Sequence, residues 1–354
     1  MTPAELARCR LLGQQLPSGP HQTPKTLVAH MGAMQAQDFA MAKWALGIRI
    51  PGLTDEAVEQ ALNRGEIIRT HILRPTWHFV TPEDLPWMLA LTAQPIRNIM
   101  ASNDKRLGID AALVHRTNDI VGRALRDGDA LTREEIAGLL HHEGIATDEN
   151  RLSHFLMHAE LDRIVKTGPR RGKQFTYVRL ELPEAPARSR EENLAELARR
   201  YFTSHGPATI RDFHWWSGLT LGEARKGLEA AAGDFQTVVL GDQTFYFSPS
   251  ITDNTGSEAS LHLLPAFDEM LVAYKSRHIS LDPSFTTASI SSNGIFYPVI
   301  MADGQVIGTW KRQSKSRGVQ VLPLYFRDSP DEKSLTAALL RFGVFLGQKA
   351  EIAP

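Results

Sequence analysis

The chain has 354 residues, of which 42% are hydrophobic and 22% are charged, and its formal net charge is -1. This length predicts two to four domains, and the composition is that of an ordinary globular protein. A net charge so close to zero excludes a global field that draws the protein to nucleic acid or to a membrane, so any basic surface must be local.

The single cysteine, Cys9, excludes an internal disulfide and a cysteine metal cluster, and it is expected to be a small buried apolar residue. Because the sequence shows neither an apolar run of membrane length nor a signal peptide, a cytoplasmic location is expected.

Residues 1–118 predict a winged-helix domain followed by further helices. Capping residues and apolar spacing indicate four short helices, which begin near Thr2, Lys25, Asp38 and Thr54. The second of these helices is expected to end at about Gln35. Two β-rich runs follow, Ile67–Leu73 and Thr76–Val80, and helices followed by such a ribbon are typical of a winged helix. A helix capped at Thr81 comes next, and the chain from there to about Asn118 has the character of a linker.

The same order of helices and a hairpin returns twice. Residues 119–182 contain a capping box at Thr132, a second helix from about Glu149 and two strands around the turn at 168–173. Residues 190–250 follow a proline-rich stretch, Leu182–Arg188, and contain three helices and a hairpin whose turn is Gly241-Asp242. Sequence identity among the three regions is low, so the repeat is one of pattern.

Residues 258–354 change to a pattern of strands. The predicted strands are Leu261–Leu264, Ile295–Met301, Gln305–Trp310 and Gln320–Phe326. A final helix is expected from about Asp331 to Gln348. The sequence therefore predicts an α+β protein with three tandem winged-helix domains and a C-terminal β-barrel-like domain.

Two clusters of basic residues are candidates for contact with phosphates. The first lies in the second hairpin and consists of Arg163, Lys166, Arg170, Arg171 and Lys173. The second lies near the C-terminus and consists of Lys311, Arg312, Lys315 and Arg317. Each cluster alone is also typical of a solvated turn. On a chain of winged helices, which press a helix and a wing against duplex DNA, both favour DNA binding.

Polar and aromatic residues of the first hairpin define a second candidate surface, here called the cleft residues: Arg69, His71, Arg74, Trp77 and His78. The histidines could form structural hydrogen bonds within the hairpin, or the hairpin could line a polar cleft. No metal site is predicted, because the adjacent pair His141-His142 points to different faces of a helix. The paired tryptophans Trp215 and Trp216, at helical spacing, are expected in the core.

The segment Gln35-Ala36-Gln37-Asp38 is the strongest candidate for chemistry. On an unbroken helix the two glutamines point roughly in opposite directions, whereas a break between them lets both face one cavity. Their amides could instead satisfy free carbonyl groups at a helix end. Spacing alone leaves both interpretations open.

The whole chain resembles the winged-helix DNA glycosylases of the AlkZ/YcaQ type. The residues that carry the resemblance are Gln35-Ala36-Gln37, Leu73–Val80, Arg199–Phe202 with His205–Thr209, and Leu263–Glu269. The resemblance implies a C-shaped, DNA-embracing monomer that excises N7-alkylated purines from double-stranded DNA, including the unhooking of interstrand crosslinks. It also implies a catalytic Gln–apolar–Gln signature, which Gln35 and Gln37 match. Members of the family are also described merely as winged-helix DNA-binding proteins, so membership alone does not prove activity.

The chemistry that the resemblance implies suits neutral amides. An N7-alkylguanine is already cationic, so its glycosidic bond is weakened and no general acid is required. Amide oxygens can hold a water against C1′, and Asp38 is a speculative helper because a carboxylate can take a proton. No lysine is marked as a Schiff-base nucleophile, so we expect a monofunctional enzyme without cofactor that leaves an abasic site. Such a repair or self-resistance enzyme would work at the nucleoid.

Two other functions remain open from the sequence. A non-catalytic DNA-binding protein or transcriptional regulator would use the same winged helices. Against it, no ligand-sensing or dimerisation module is apparent, and wings in tandem on one chain do not imply a palindromic operator. A small-molecule hydrolase is the third and most distant alternative.

Overall fold

The structure is a computed structural model that describes residues 1–16, 19–126, 128–182, 188–254, 260–315 and 318–353. Most of the predicted proline-rich linker (183–187) and the predicted boundary at 255–257 lie outside the described residues. Helices and strands occur together along the whole chain, with antiparallel hairpins between groups of helices. The predicted α+β class is confirmed.

The first region contains four helices and a small sheet. The helices are α1 (Pro3–Gly13), α2 (Pro24–Met31), α3 (Phe39–Gly47) and α4 (Asp55–Asn63), and the strands are β1 (Met34–Gln35), β2 (Ile68–Ile72) and β3 (Arg74–Val80). The antiparallel sheet has the order β1-β3-β2. The prediction that the second helix reaches Gln35 is wrong. That helix ends at Met31, because Gly32 takes a positive φ of 76° and the chain then pairs with β3.

The segment expected to be a linker is helical. The helix predicted after Thr81 is present as α5 (Leu85–Arg106) and extends into this segment, and α6 (Ala111–Ala124) follows it. The side chain of Asp110 caps α6 by accepting a hydrogen bond from the Leu113 N–H. Ile120 and Val121 on α6 are buried. The linker prediction was wrong because the apolar residues of this segment are sparse and its cap is a single aspartate.

The two following regions repeat the arrangement of helices and an antiparallel hairpin. The first contains β4 (Leu131–Thr132), α7 (Arg133–His142), α8 (Arg151–Leu161), β5 (Val165–Arg171) and β6 (Gln174–Arg179), with sheet order β4-β6-β5. The second contains α9 (Arg190–Ser204), α10 (Ile210–Ser217), α11 (Leu221–Ala230), β7 (Gln236–Leu240) and β8 (Gln243–Phe247). The predicted capping box at Thr132 is present, and Thr220 forms another from the sequence Thr220-Leu221-Gly222-Glu223. The count of three winged-helix domains and their boundaries stay predictions.

The C-terminal region is built on one mixed sheet. Its elements are β9 (Leu261–Leu264), α12 (Glu269–Val272), α13 (Thr286–Ser289), β10 (Val299–Ala302), β11 (Gln305–Lys315), β12 (Gly318–Tyr325), α14 (Glu332–Leu346) and β13 (Ala350–Ile352). The strand order is β13-β12-β11-β10-β9, so in the described part of the chain this sheet has two free edges and forms a half-barrel. Three short 3-10 helices complete the structure, at Ala232–Asp234, Pro249–Asn254 and Pro283–Phe285.

A shared core joins the N-terminal helices to the C-terminal sheet. The Trp44 ring on α3 lies 4.9 Å from the Phe342 ring and 5.1 Å from the Phe345 ring, both on α14. The Trp44 Nε1–H donates to the Leu263 carbonyl at 2.7 Å. The Trp310 Nε1–H donates to the Leu264 carbonyl at 2.8 Å. These contacts hold the end of β9 and α14 against α3.

A buried histidine in this core predicts acid sensitivity. His262 on β9 is 1% exposed, and burial, with Arg341 and Arg49 nearby, lowers its pKa to about 3. Below about pH 6.5 the unfolded chain binds a proton at this residue that the folded protein does not, so stability falls as pH falls towards 3. We expect His262→Asn to reduce the slope of unfolding free energy against pH by about 1.4 kcal/mol per pH unit between about pH 4 and 6. Urea unfolding at several pH values measures this, and equal slopes for wild type and variant would contradict it.

Candidate active site

The two glutamines lie on an extended segment, just beyond the end of a helix. The Ala36 N–H donates to the Trp77 carbonyl at 2.6 Å, which continues the pairing of β1 with β3. Gln35 is the last residue of β1 and Gln37 lies in the bend that follows, and the amide oxygens of both side chains reach β3. Gln35 is half-buried and Gln37 is exposed. The structure differs from both interpretations left open by spacing, because the helix ends at Met31, before the motif and not between the two glutamines, and the amide oxygens bond the first hairpin.

Three cleft residues contact this segment directly. The Arg74 Nη2–H donates to Gln35 Oε1 at 3.2 Å. The Trp77 N–H donates to Gln37 Oε1 at 3.4 Å, and the Arg69 Nε–H donates to the Ala36 carbonyl at 3.1 Å. Both amide oxygens therefore have partners on the first hairpin, and neither caps a helix.

The buried carboxylate of Glu269 contacts the backbone of the glutamine segment. The Gln35 N–H donates to Glu269 Oε1 at 2.6 Å. Glu269 is 2% exposed, and its Oε2 lies 3.4 Å from His205 Nε2. Neither of these two atoms has a hydrogen-bond partner in the described part of the chain. Sequence reasoning gave Glu269 no role, because nothing local relates it to a residue 234 positions away.

The residue before Glu269 anchors it. Both oxygens of Asp268 accept hydrogen bonds from Arg49, from Nη1 and from Nη2, at 2.8 Å each. Both side chains are fully buried, and Arg49 also donates to the Gln14 and Ala45 carbonyls. The Asp268 carboxylate in turn caps α12. The Arg49–Asp268 pair holds the N-terminus of α12, where Glu269 lies, against the end of α3 and next to the glutamine segment.

The two cleft histidines have different environments. His78 pairs with Gln35 across the sheet, and its Nδ1 lies 2.9 Å from the Thr76 carbonyl of its own hairpin. Burial lowers the pKa of His78 well below its usual value, so it is neutral. The Nδ1 of His71 lies 2.6 Å from Glu160 on α8, and its ring packs at 4.1 Å on Trp77. The structural interpretation thus suits His78, whereas His71 joins the first hairpin to the next region.

Arg69 lies between aromatic rings. Its guanidinium carbon is 4.1 Å from the centre of the Trp77 ring and 4.8 Å from that of Phe175 on β6. Burial lowers the pKa of Arg69 to about 10, so the group remains charged at neutral pH.

A basic surface beside Gln35 was missed by the sequence analysis. Lys275, Arg277 and Arg74 surround the half-buried Trp215 ring, with distances to its centre of 4.7, 5.7 and 5.8 Å. The Trp215 Nε1–H donates to the Val272 carbonyl at 2.9 Å. Trp216 is fully buried as predicted, whereas Trp215 lies at the edge of the core. No sequence signal joins Arg74 to the neighbouring pair Lys275 and Arg277, because the two segments are far apart in the chain.

The structure separates the members of the first basic cluster. Arg170 forms a bidentate ion pair with Glu59 at 2.7 and 3.0 Å, and Arg171 pairs with Glu135 at 2.6 Å. Lys173 is exposed and Lys166 is half-buried, and burial lowers the pKa of Lys166. Arg163 lies before β5, where it lines a separate cavity of about 360 Å³ with three other arginines: Arg123, Arg126 and Arg179. The cluster is therefore less positive than its sequence suggests.

The second basic cluster projects into solvent. Lys311, Arg312 and Lys315 are exposed on β11, and none forms an ion pair with any residue that the structure describes. Alternation along the strand puts Lys311 and Lys315 on one face and Arg312 on the other. Arg317 lies outside the described residues.

Asp38 has a structural use. It is the N-cap of α3, and its Oδ1 accepts a hydrogen bond from the Met41 N–H at 3.1 Å. Its side chain is exposed. The cap accounts for its conformation without a catalytic role.

Comparisons with known proteins agree on one family. A family model described as "DNA glycosylase AlkZ-like" matches residues 28–345. An interstrand DNA cross-link repair glycosylase from Streptomyces sahachiroi is 24% identical in an alignment of length 307 that covers 80% of this chain and 81% of that protein. The solved structure of the Streptomyces sahachiroi DNA glycosylase AlkZ superposes with a TM-score of 0.82 at 20% identity and covers 100% of both chains. Among the described residues, no helix is long and apolar enough to cross a membrane, and no group of three or more metal-binding side chains is found.

Proposed function

The chain belongs to the AlkZ-like DNA glycosylase family, and from this premise we propose that it hydrolyses the N-glycosidic bond of N7-alkylated, cationic purines in double-stranded DNA. A water supplies the oxygen that bonds to C1′, and the C1′–N9 bond breaks. Its electron pair goes to the purine, which leaves as a neutral base, and the water loses a proton. The product is an abasic site in an uncut strand.

The observation that carries the proposal is the extended segment Gln35-Ala36-Gln37. Both of its amide oxygens reach β3, with Gln37 exposed to an incoming nucleotide and Gln35 held by Arg74. A carbonyl oxygen has two lone pairs, so each amide can bond its protein donor and still orient a water. Holding that water against C1′ removes much of the entropic barrier to attack.

The charges around the segment suit a positively charged transition state. Arg74 lies against Gln35, and Glu269 bonds the Gln35 N–H from the protein interior. The carboxylate raises the pKa of Arg74, although burial has the larger effect and lowers it. Because Glu269 is buried, its charge is weakly screened, so it opposes the charge of Arg74 and stabilises positive charge developing on the sugar. Asp38 remains a secondary candidate for taking the proton.

Crosslink unhooking follows from the same chemistry. The name of the Streptomyces sahachiroi relative assigns it to interstrand cross-link repair. Each guanine in an N7 crosslink is a cationic leaving base, as it is in a methyl adduct. We therefore propose that simple adducts, bulky adducts and crosslinks are substrates of one site.

A base-release assay tests the proposal directly. Duplexes with a single N7-methylguanine, a bulky N7 adduct or an N7 crosslink are incubated with the protein and then heated in alkali, which cuts abasic sites. Cutting only after alkali, together with free alkylated base, supports a monofunctional glycosylase. Tight, sequence-specific binding without base release would favour the alternative, a non-catalytic winged-helix regulator.

The basic residues of the second hairpin are proposed to contact phosphates. Arg171 and Lys173 are exposed near its turn, although Arg171 also pairs with Glu135. We expect Arg171→Ala with Lys173→Ala to weaken duplex binding and to reduce the slope of log K against log salt by about 0.9 for each lost contact. Fluorescence anisotropy at several salt concentrations measures both quantities.

A matched control for charge removal is available on α2. Lys25 is exposed and pairs with Glu83, at a position for which no DNA contact is proposed. Lys25→Ala is expected to keep the wild-type slope. If the double variant also keeps the wild-type salt slope, the second hairpin does not lie on the DNA.

The C-terminal cations Lys311, Arg312, Lys315 and Arg317 are proposed as a second surface that contacts DNA phosphates.

A further inference from the structure

A cavity of about 550 Å³ lies between the first hairpin and the following region. The first hairpin contributes Arg69 and Trp77, the second hairpin contributes Phe175 and Tyr177, and α7 contributes Ala137. This volume is within the range of cavities that bind small organic groups. The proposed reaction does not use this cavity.

The cavity adjoins the glutamine segment. Trp77, in its wall, donates its N–H to Gln37 Oε1 at 3.4 Å. Arg69, also in the wall, donates from Nε to the Ala36 carbonyl at 3.1 Å. Two wall residues are thus bonded to the residues proposed to hold the attacking water. A group tethered to a base at Gln37 can reach the cavity through a short linker.

The side chains that line the cavity indicate which chemical class of ligand it can bind. Three aromatic side chains, Trp77, Phe175 and Tyr177, line the cavity, and Arg69 presents its guanidinium between two of them. Planar aromatic groups stack on such rings and on guanidinium planes. The enclosed position of Arg69, which is 5% exposed, leaves little room for a hydrated anion at that end.

The charge of the walls argues against the damaged base itself. Arg69, Arg133 and Lys173 carry positive charge there, and Glu134 carries the one negative charge among the lining residues. A cationic N7-alkylpurine in this cavity would meet net repulsion. A neutral aromatic group is not repelled by these charges.

We propose that this cavity is a subsite for a neutral, planar aromatic group joined to N7 of the damaged base. The inference rests on the proposed function, because it places the cationic purine at Gln35 and Gln37. It adds that the protein recognises aromatic adducts by stacking, in addition to excising the base. The subsite therefore selects among N7 adducts by their substituent.

The test fills the cavity and compares two lesions. Ala137→Phe puts a ring into the cavity, and Leu139→Phe adds a ring on the same helix at an exposed position outside it. The probes are duplexes with N7-methylguanine or N7-(pyrenylmethyl)guanine on a 2′-fluoro sugar, which resists hydrolysis. We expect the wild type and Leu139→Phe to bind the pyrenyl lesion about tenfold more tightly than the methyl lesion, as stacking of one ring on an aromatic side chain allows. Ala137→Phe should lose this preference and bind the methyl lesion normally.

Base release from the hydrolysable versions separates this inference from the proposed function. Loss of kcat/KM for the pyrenyl lesion alone in Ala137→Phe supports the subsite. Equal loss for both lesions, or no binding preference in the wild type, overturns it. If the wild type releases neither base, the proposed function fails, and the binding comparison still decides whether the cavity takes the aromatic group. Ala137→Leu, a smaller filling, replaces Ala137→Phe if thermal unfolding shows that the latter does not fold.

Discussion

Gln37→Ala is expected to abolish the release of N7-methylguanine and to leave duplex binding nearly unchanged. Gln37 is exposed, and among the described residues its side chain accepts one hydrogen bond, from the Trp77 N–H at 3.4 Å, so folding depends little on this side chain. Its proposed role is to hold water against C1′. Loss of a positioning group in a site of this kind lowers the rate by about a hundredfold or more.

Single-turnover release of labelled base measures this effect, and anisotropy with the same duplex measures binding. Gln60→Ala is the matched control, because Gln60 is an exposed glutamine on α4 whose side-chain amide donates a hydrogen bond to Glu56 at 3.3 Å. It should retain full activity. Undiminished release by Gln37→Ala would show that the active site lies elsewhere.

Glu269→Gln extends the experiment to the buried carboxylate. The amide oxygen of the new side chain can still accept the Gln35 N–H, but the negative charge is lost. We expect lower kcat with little change in KM, because the charge acts mainly on the transition state. A purely structural role would instead lower the thermal stability and leave kcat of the folded fraction unchanged.

Arg49→Ala is expected to destabilise the fold by about 3–5 kcal/mol, which is the cost of breaking one partner from a buried ion pair. The variant leaves the fully buried Asp268 without its two 2.8 Å hydrogen bonds from the guanidinium. It also frees the Gln14 and Ala45 carbonyls, which Arg49 bonds. The pair joins α3 to the turn before α12, so the turn that carries Glu269 should loosen.

Urea unfolding followed by circular dichroism measures the loss. Arg64→Ala is the control, because the Arg64–Glu66 pair is exposed and such pairs contribute little. If Arg49→Ala unfolds at nearly the same urea concentration as the control, then the Asp268 carboxylate is not held by this pair. A folded Arg49→Ala with slow base release at low temperature would link the anchor to the active site.

Local signals in the sequence determined most of the helices and hairpins. The capping boxes at Thr2, Thr132 and Thr220 each satisfy backbone N–H groups at the start of their own helix within four residues. They can therefore be recognised in the sequence without knowledge of tertiary contacts. Strand Leu261–Leu264 has its predicted bounds. The same local reasoning placed Gln35 at the end of a helix and was wrong, because Gly32 ends the helix and pairing with β3 extends the chain.

The tertiary structure decided the surroundings of the glutamines. Sequence placed Gln35 and Gln37 in one motif and grouped Arg69, Arg74 and Trp77, because each group lies within one short stretch. It gave no role to Glu269, and it overestimated the free charge of Arg170 and Arg171, which pair with Glu59 and Glu135. Those contacts join residues between 36 and 234 positions apart. Since their geometry depends on how whole helices and sheets pack, no pattern of neighbouring residues encodes it, whereas capping and turn formation are complete within a few residues.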